Sequence, residues 1–184
     1  MEEKKKAPVI TIGGPHGSGR STVAKAVAKH FGLRHFSTGN VFREVAKERN
    51  LSVSELNESA EKEVDLEVDR RSKEEASKGS VVIESDLAAW MNPGADIKIW
   101  LNASLDERAK RIYGDDKKRI SEEYSSFEEA KTVVNKRDTE DRRRYMEYYD
   151  IDLTDLSIYD LVLNTENLGV QEVINKVISY IESR

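Results

Sequence analysis

Between Val9 and Thr22 the chain reads V-I-T-I-G-G-P-H-G-S-G-R-S-T, and from Gly14 it follows the spacing G-x-x-x-x-G-[K]-[S/T] through Gly14, Gly19, Arg20 and Ser21. Residues of these types at this spacing hold phosphate. Glycines let the backbone approach an anion closely, while successive N–H groups and the positive end of the following helix supply the charge. Gly14, Pro15, His16, Gly17, Ser18, Gly19, Arg20, Ser21 and Thr22 are therefore the candidate polyphosphate cradle, with Ser21 placed to offer its hydroxyl to a divalent cation. Arg20 stands where the pattern has lysine, keeping the charge but replacing a compact ammonium with a planar fork. Binding is expected to survive that change better than catalysis. His16 has no partner legible in the sequence and is expected to face solvent.

Other candidates lie far along the chain. Glu84 closes the apolar run V-V-I-E, a position from which a carboxylate can hold a cation-bound water near the glycine loop. Arg43 follows Ser37-Thr38-Gly39-Asn40, expected to be a loop and N-cap ahead of a helix from Val41 to Arg49. Within R-D-T-E-D-R-R-R, Arg137, Asp141 and Arg144 fall at i, i+4 and i+7 and share a helix face. Consecutive arginines from Arg142 call for anionic partners. Arg108 and Arg111 ride on an earlier helix from Leu105 to Tyr113. Asp65, Asp69, Arg70 and Arg71 could touch a ligand or form a salt-bridged face, and the salt-bridged face is the one expected.

The elements that must position these groups alternate. Val9–Ile12, Leu33–Phe36, Ser80–Glu84, Ile97–Leu101 and Leu161–Leu163 are short apolar strands. Helices with apolar residues at i, i+3 and i+4 lie between them: Val23 to Phe31, stopped by Gly32, Phe127 to Tyr149, and the closing stretch Val170 to Ile181. Such alternation predicts an α/β fold with a parallel sheet covered on both faces. Ligands then bind beyond the carboxyl ends of the strands, where Gly14, Ser37, Glu84 and Asn102 are expected to converge. Leu51 to Lys78 is too polar for a core of its own and should lie over the body as a cap. Gly114 to Ser126 reads as a loop or lid tip.

The 184 residues suit a single domain. A net charge of −5 gives no global attraction for nucleic acid, so any anion site must be a local arginine cluster. There is no cysteine, hence no disulfide or thiolate metal site, which fits a reducing compartment. No apolar run approaches a membrane span, and the charged stretch Met1 to Lys6 lacks the apolar centre of a signal peptide. A cytoplasmic location, without membrane or nucleic-acid partners, is expected.

Taken together, the glycine loop, S-T-G-N-V-F-R-E-V-A-K-E-R, D-x-E-x-D-R-R from Asp65, V-V-I-E, L-A-A-W-M, R-D-x-x-D-R-x-R and D-L-S-I-Y-D-L-V-L-N-T resemble the nucleoside monophosphate kinases, most of all the short archaeal-type cytidylate kinases. The similarity runs along nearly the whole chain from Val9. It implies a P-loop kinase core (8–36, 79–107 and 136–184) whose five-stranded parallel sheet lies between helices. A helical insert at 37–78 would bind the nucleoside monophosphate and a short lid would span 108–135. It further implies a monomer that transfers the γ-phosphoryl group of ATP to CMP or dCMP with Mg²⁺ held by Ser21 and, through water, Glu84. By position, Ser37, Thr38 and Arg43 would meet the acceptor, Arg43 and Arg144 its phosphate, and Arg137 and Asp141 its ribose. Arg108 and Arg111 would lie near the donor or the transferring phosphoryl.

The chain departs from the family pattern at Arg20 and at Ser85-Asp86, where an arginine usually follows the strand-end acid. Asn40 replaces a common aspartate, and Ala89 a common glycine. Asp86 is expected to repel the acceptor's phosphate. Two further readings stay open: a nucleotide-binding homologue that has lost phosphotransfer, and a P-loop kinase for another small acceptor.

Overall fold

The computed structural model describes residues 8–52, 55–56, 62–114 and 124–184. Five strands, β1 (Val9–Gly13), β2 (Arg34–Ser37), β3 (Val81–Glu84), β4 (Ile97–Asn102) and β5 (Leu161–Asn164), form one sheet in the order β2-β3-β1-β4-β5. Every pair is parallel, with Ile12 opposite Glu84 and Ile99, and Ser37 also opposite Glu84. All strands therefore end on the same edge. The register brings the glycine loop, the strand-end acid and the start of the next helix side by side.

Strands β1 and β3 are buried along their whole length, as their mainly apolar residues require. One face packs Ile10, Ile12, Val82, Ile99 and Leu101 against Val23, Ala24 and Val27 of α1 (Arg20–Phe31) and Val173, Ile174 and Val177 of α7 (Val170–Glu182). Gly32 ends α1 in the left-handed region at φ 65°, as its position predicts. The opposite face packs Val9, Val81 and Ile83 against Ala88 of the short α4 (Ala88–Met91).

Further helices among the described residues are α2 (Thr38–Glu48), α3 (Lys62–Ser77), α5 (Leu105–Tyr113) and α6 (Phe127–Tyr149). Helix α6 matches its expected span, and the Ser126 hydroxyl caps it by accepting from the Glu129 N–H. Helix α2 corrects the expected loop at 37–40: it starts at Thr38, directly off β2, with Ser37 as N-cap. Gly39 and Asn40 are poor helix formers, and the tertiary position overrides their preference. Much of the expected lid tip lies outside the described residues.

The polar segment after α2 is less loosely attached than its composition suggests. Leu56, Val64 and Val68 join Val41, Val45 and Ala46 in a compact apolar cluster, with Phe36, Phe42 and Leu51 packed against it. Leu56→Ala is therefore expected to remove about 2–5 kcal/mol of packing where a buried leucine ties this segment to α2. Amide hydrogen exchange should quicken in α2 and α3 while β1, β3 and β4 keep their protection. Equal acceleration in the sheet would contradict a separately anchored insert.

Candidate active site

The glycine loop is shaped by close contacts at its back. Gly14 has φ 150°, and a Cβ there would collide with the Leu101 carbonyl and the Ser18 hydroxyl. Gly17 has φ 79°, and a Cβ would come within 2.7 Å of the Arg108 carbonyl. Arg108 is buried beneath this turn, donating to the carbonyls of Ala103 (3.1 Å) and His16 (2.8 Å) and to Asp138 (2.7 Å). It braces the loop from behind and does not line the cleft, unlike the expected place beside the reacting groups. Arg111 does reach the cleft wall, but it also donates to Ser18 O (3.3 Å) and to the hydroxyl and carbonyl of Thr165 (2.9 and 2.7 Å).

In front of the loop lies a cleft of about 820 Å³. Its walls include His16, Gly17, Gly19, Arg20, Ser21 and Thr22 on one side, and Ser37, Thr38 and Arg43 on another. Arg137, Asp141, Arg144 and Tyr145 project into it from α6. Residues that are far apart in the chain thus meet around one volume. Arg43 donates to Asn40 at 2.5 Å, so this departure from the pattern still partners the arginine. Arg144 is buried, donating to Asp141 at 2.9 Å and facing Asp65 at 3.7 Å. Asn102 is a correction: its side chain is exposed, it lines no part of the cleft, and its carbonyl accepts from Thr165.

Glu84, the acid that ends β3, has two close side-chain partners. The Ser21 hydroxyl donates to Glu84 Oε1, and His35 Nε2 lies 2.9 Å from Oε2. Burial works against ionisation of Glu84, but the His35 contact, the Arg20 charge and the Ser21 hydroxyl outweigh it and hold the carboxyl below the usual range. A hydroxyl beside an ionised carboxylate is an all-oxygen donor set that fits Mg²⁺.

Three features had no visible signal in single residues. His16 does not face solvent alone: its Nε2 lies 2.9 Å from Asp141 and links the loop to α6. Burial opposes ionisation of Asp141, and the His16 contact with the nearby charges of Arg144 and Arg20 overcomes it. Arg20 pairs with Asp86 and donates to the Gly14 carbonyl, with Glu84 3.8 Å away. The expected repulsive Asp86 is thus corrected: its charge is matched by a neighbouring guanidinium. Potential ligand atoms of His16, Asp86 and Asp141 lie within 4.8 Å of one another, and Arg20 supplies the cation beside them.

Asp65 and Asp69 also differ from the expected outer salt-bridge face. Both are buried and line the cleft, and Tyr149 donates its hydroxyl to Asp69. Each follows a buried valine, Val64 and Val68, at a spacing of four, which could have marked an inward edge. Arg70 and Arg71 do keep to the outside, paired with Glu67, Glu74 and Glu44.

A glycine loop between β1 and α1, a parallel sheet and an arginine-lined cleft beyond its strand ends define a P-loop kinase. Solved structures agree on the fold: a protein from Eubacterium ventriosum superposes with a TM-score of 0.70 at 22% identity, covering 96% of this chain and 99% of that one. The shikimate kinase of Bacteroides thetaiotaomicron gives 0.64 at 15% identity, covering 95% and 98%. Residues 13–141 match the family described as "AAA domain". The cytidylate kinase of Pyrococcus horikoshii is 42% identical over 95% of this chain and 90% of its own length. That of Staphylothermus marinus is 43% identical over 95% and 96%. The chain belongs to the cytidylate kinase family.

Asp65 supplies a pH test of the buried acid cluster. Burial foremost, with Asp69 and Asp141 nearby, raises its carboxyl to about 6 despite Arg144. The folded chain therefore holds this proton to higher pH than the unfolded chain, where the group titrates near ~3.9. Stability contributed by Asp65 is complete below that value and declines as pH rises through about 6. In urea unfolding from pH 4 to 7, the stability of the wild type relative to Asp65→Asn should fall by about 2 kcal/mol. A pH-independent difference would contradict this environment.

Proposed function

We propose that the chain transfers the γ-phosphoryl group of ATP to CMP or dCMP, giving ADP and CDP or dCDP. The observation that carries this reading is a single cleft bounded by both the glycine loop and Arg43, Arg137 and Arg144. Family membership and the cytidylate kinase relatives support the choice of acceptor. Residues 37–78 would form the insert that receives the nucleoside monophosphate, and 108–135 the lid. Arg111 would work at the cleft edge, whereas Arg108 would keep the loop in shape.

The reaction needs alignment and charge neutralisation more than covalent help. An oxygen of the acceptor phosphate attacks the γ-phosphorus as its bond to the bridging oxygen of ADP breaks. Loop amides from Gly14 to Thr22 would hold the donor phosphates, and Arg43 and Arg144 the acceptor phosphate. Arg137 and Asp141 would orient the ribose, with Ser37 and Thr38 at the strand edge. Fixed guanidinium dipoles in a partly dry cleft stabilise charge as it moves between the two nucleotides. Mg²⁺, held by Ser21 and by Glu84 through water, would neutralise the donor phosphates. Closure of the lid side would keep water from becoming the acceptor. The chain would act as a monomer in the cytoplasm on small nucleotides, with no nucleic-acid or membrane partner; no helix among the described residues is long and apolar enough to cross a membrane.

A second reading, a nucleotide-binding homologue without phosphotransfer, is favoured by the engagement of the Arg20 guanidinium with Asp86 and Gly14. A coupled ADP-release assay separates the two. CMP or dCMP should drive turnover of ~1 to 100 s⁻¹, with UMP and AMP slower. ATP binding without acceptor-dependent turnover supports the impaired homologue, and turnover on sugars or hydroxy acids would redirect the assignment. Arg144→Ala should lower kcat/KM for CMP roughly 100-fold, about 3 kcal/mol of transition-state stabilisation. Its affinity for ATP should change less than about threefold.

A further inference from the structure

Arg20 and Asp86 are two departures from the family pattern, and the fold brings them into one ion pair. Asp86 is buried two residues beyond the end of β3, where an unpaired carboxylate would be costly. Its Oδ1 meets Nη1 of Arg20, and the same Nη1 donates to the Gly14 carbonyl. Lysine would end in one compact ammonium; arginine has a second edge. The ion pair and the carbonyl bond engage Nη1, Nε lies 3.8 Å from Glu84 Oε1, and the residue itself lines the cleft.

We propose that Asp86 is a positioning residue for Arg20. It holds the guanidinium by one edge, so that the other meets the phosphoryl group in transit between the glycine loop and the Arg43 and Arg144 side. One arginine thereby covers two cations of the family pattern, the loop lysine and the arginine after the strand-end acid. The inference rests on the kinase reading above and adds a dependence between two positions. It also reverses the expectation drawn from the motif alone. Asp86→Arg in the wild type sets two guanidinium groups against each other and should lower activity. With Arg20→Lys it rebuilds the separate cations and should raise activity.

A double-mutant cycle tests the pair. Dissociation constants for Mg·ATP and Mg·ADP are measured by calorimetry for the wild type, Arg20→Lys, Asp86→Asn and the combination, and kcat and KM are measured with CMP. Asp86→Asn should weaken ATP about three- to tenfold, leave ADP within about twofold, and lower kcat at least about tenfold. In the Arg20→Lys background it should add less than about threefold to either loss. Asp86→Arg should raise kcat at least about tenfold there and lower it in the wild type. Equal weakening of ATP and ADP, or the same loss in both backgrounds, would overturn the proposal by reducing Asp86 to a structural residue. Should Asp86→Asn fail to fold, Asp86→Ser takes its place. A wild type without CMP-dependent turnover removes the kinase reading, while the ATP and ADP cycle still decides the pair. Normal turnover without coupling removes the pair alone.

Discussion

Among the described residues five arginines border one cleft, and their mutual repulsion is the constraint around which the remainder is built. Guanidinium groups cannot shed their charge, and like charges crowded in a partly dry volume are unfavourable. Acids from several elements answer them: Asp86 for Arg20, Asp141 and Asp65 for Arg144, and Glu107 for Arg111. His16 adds a further link to Asp141 from the loop. The acids thereby hold the arginines at fixed places around the cleft, the arrangement that an anion would meet. This is electrostatic preorganisation in its structural form.

The parallel sheet makes that arrangement possible. Because β1, β3 and β2 end together, the loop after β1, Glu84 at the end of β3 and Thr38 after β2 reach the same edge without long connections. Helix α6 then supplies Arg137, Asp141 and Arg144 from one face. Arg108 locks α5, the glycine loop and α6 together through His16 O and Asp138, so the wall of the cleft and its floor share one brace.

What was legible in the sequence follows from the range of each signal. The strands and α6 carry apolar periodicity within a few residues, and the glycine loop is contiguous. The arginine face of α6 is a local repeat, so its residues reach the cleft as expected. Pairings such as His16 with Asp141, 125 residues apart, leave no local trace. Arg20 and Asp86 each look like an isolated defect until the fold unites them. Arg108 illustrates the converse: on an exposed or a buried helix face an arginine reads the same, and only its contacts reveal a brace. Asp65 and Asp69 were masked by the charge of their neighbours, although the adjacent valines turn that edge inward. The start of α2 was hidden by Gly39 and Asn40, whose intrinsic preferences yield to the strand that feeds the helix.

The central claim is that one cleft receives a donor polyphosphate and an acceptor phosphate together. Calorimetry with adenosine and cytidine joined through five phosphates measures this directly, since one molecule then spans both subsites. Binding at least about 100-fold tighter than ATP or CMP alone is the predicted result, because the second contact becomes intramolecular. An affinity equal to that of ATP, unchanged by adding the cytidine end, would contradict a shared cleft.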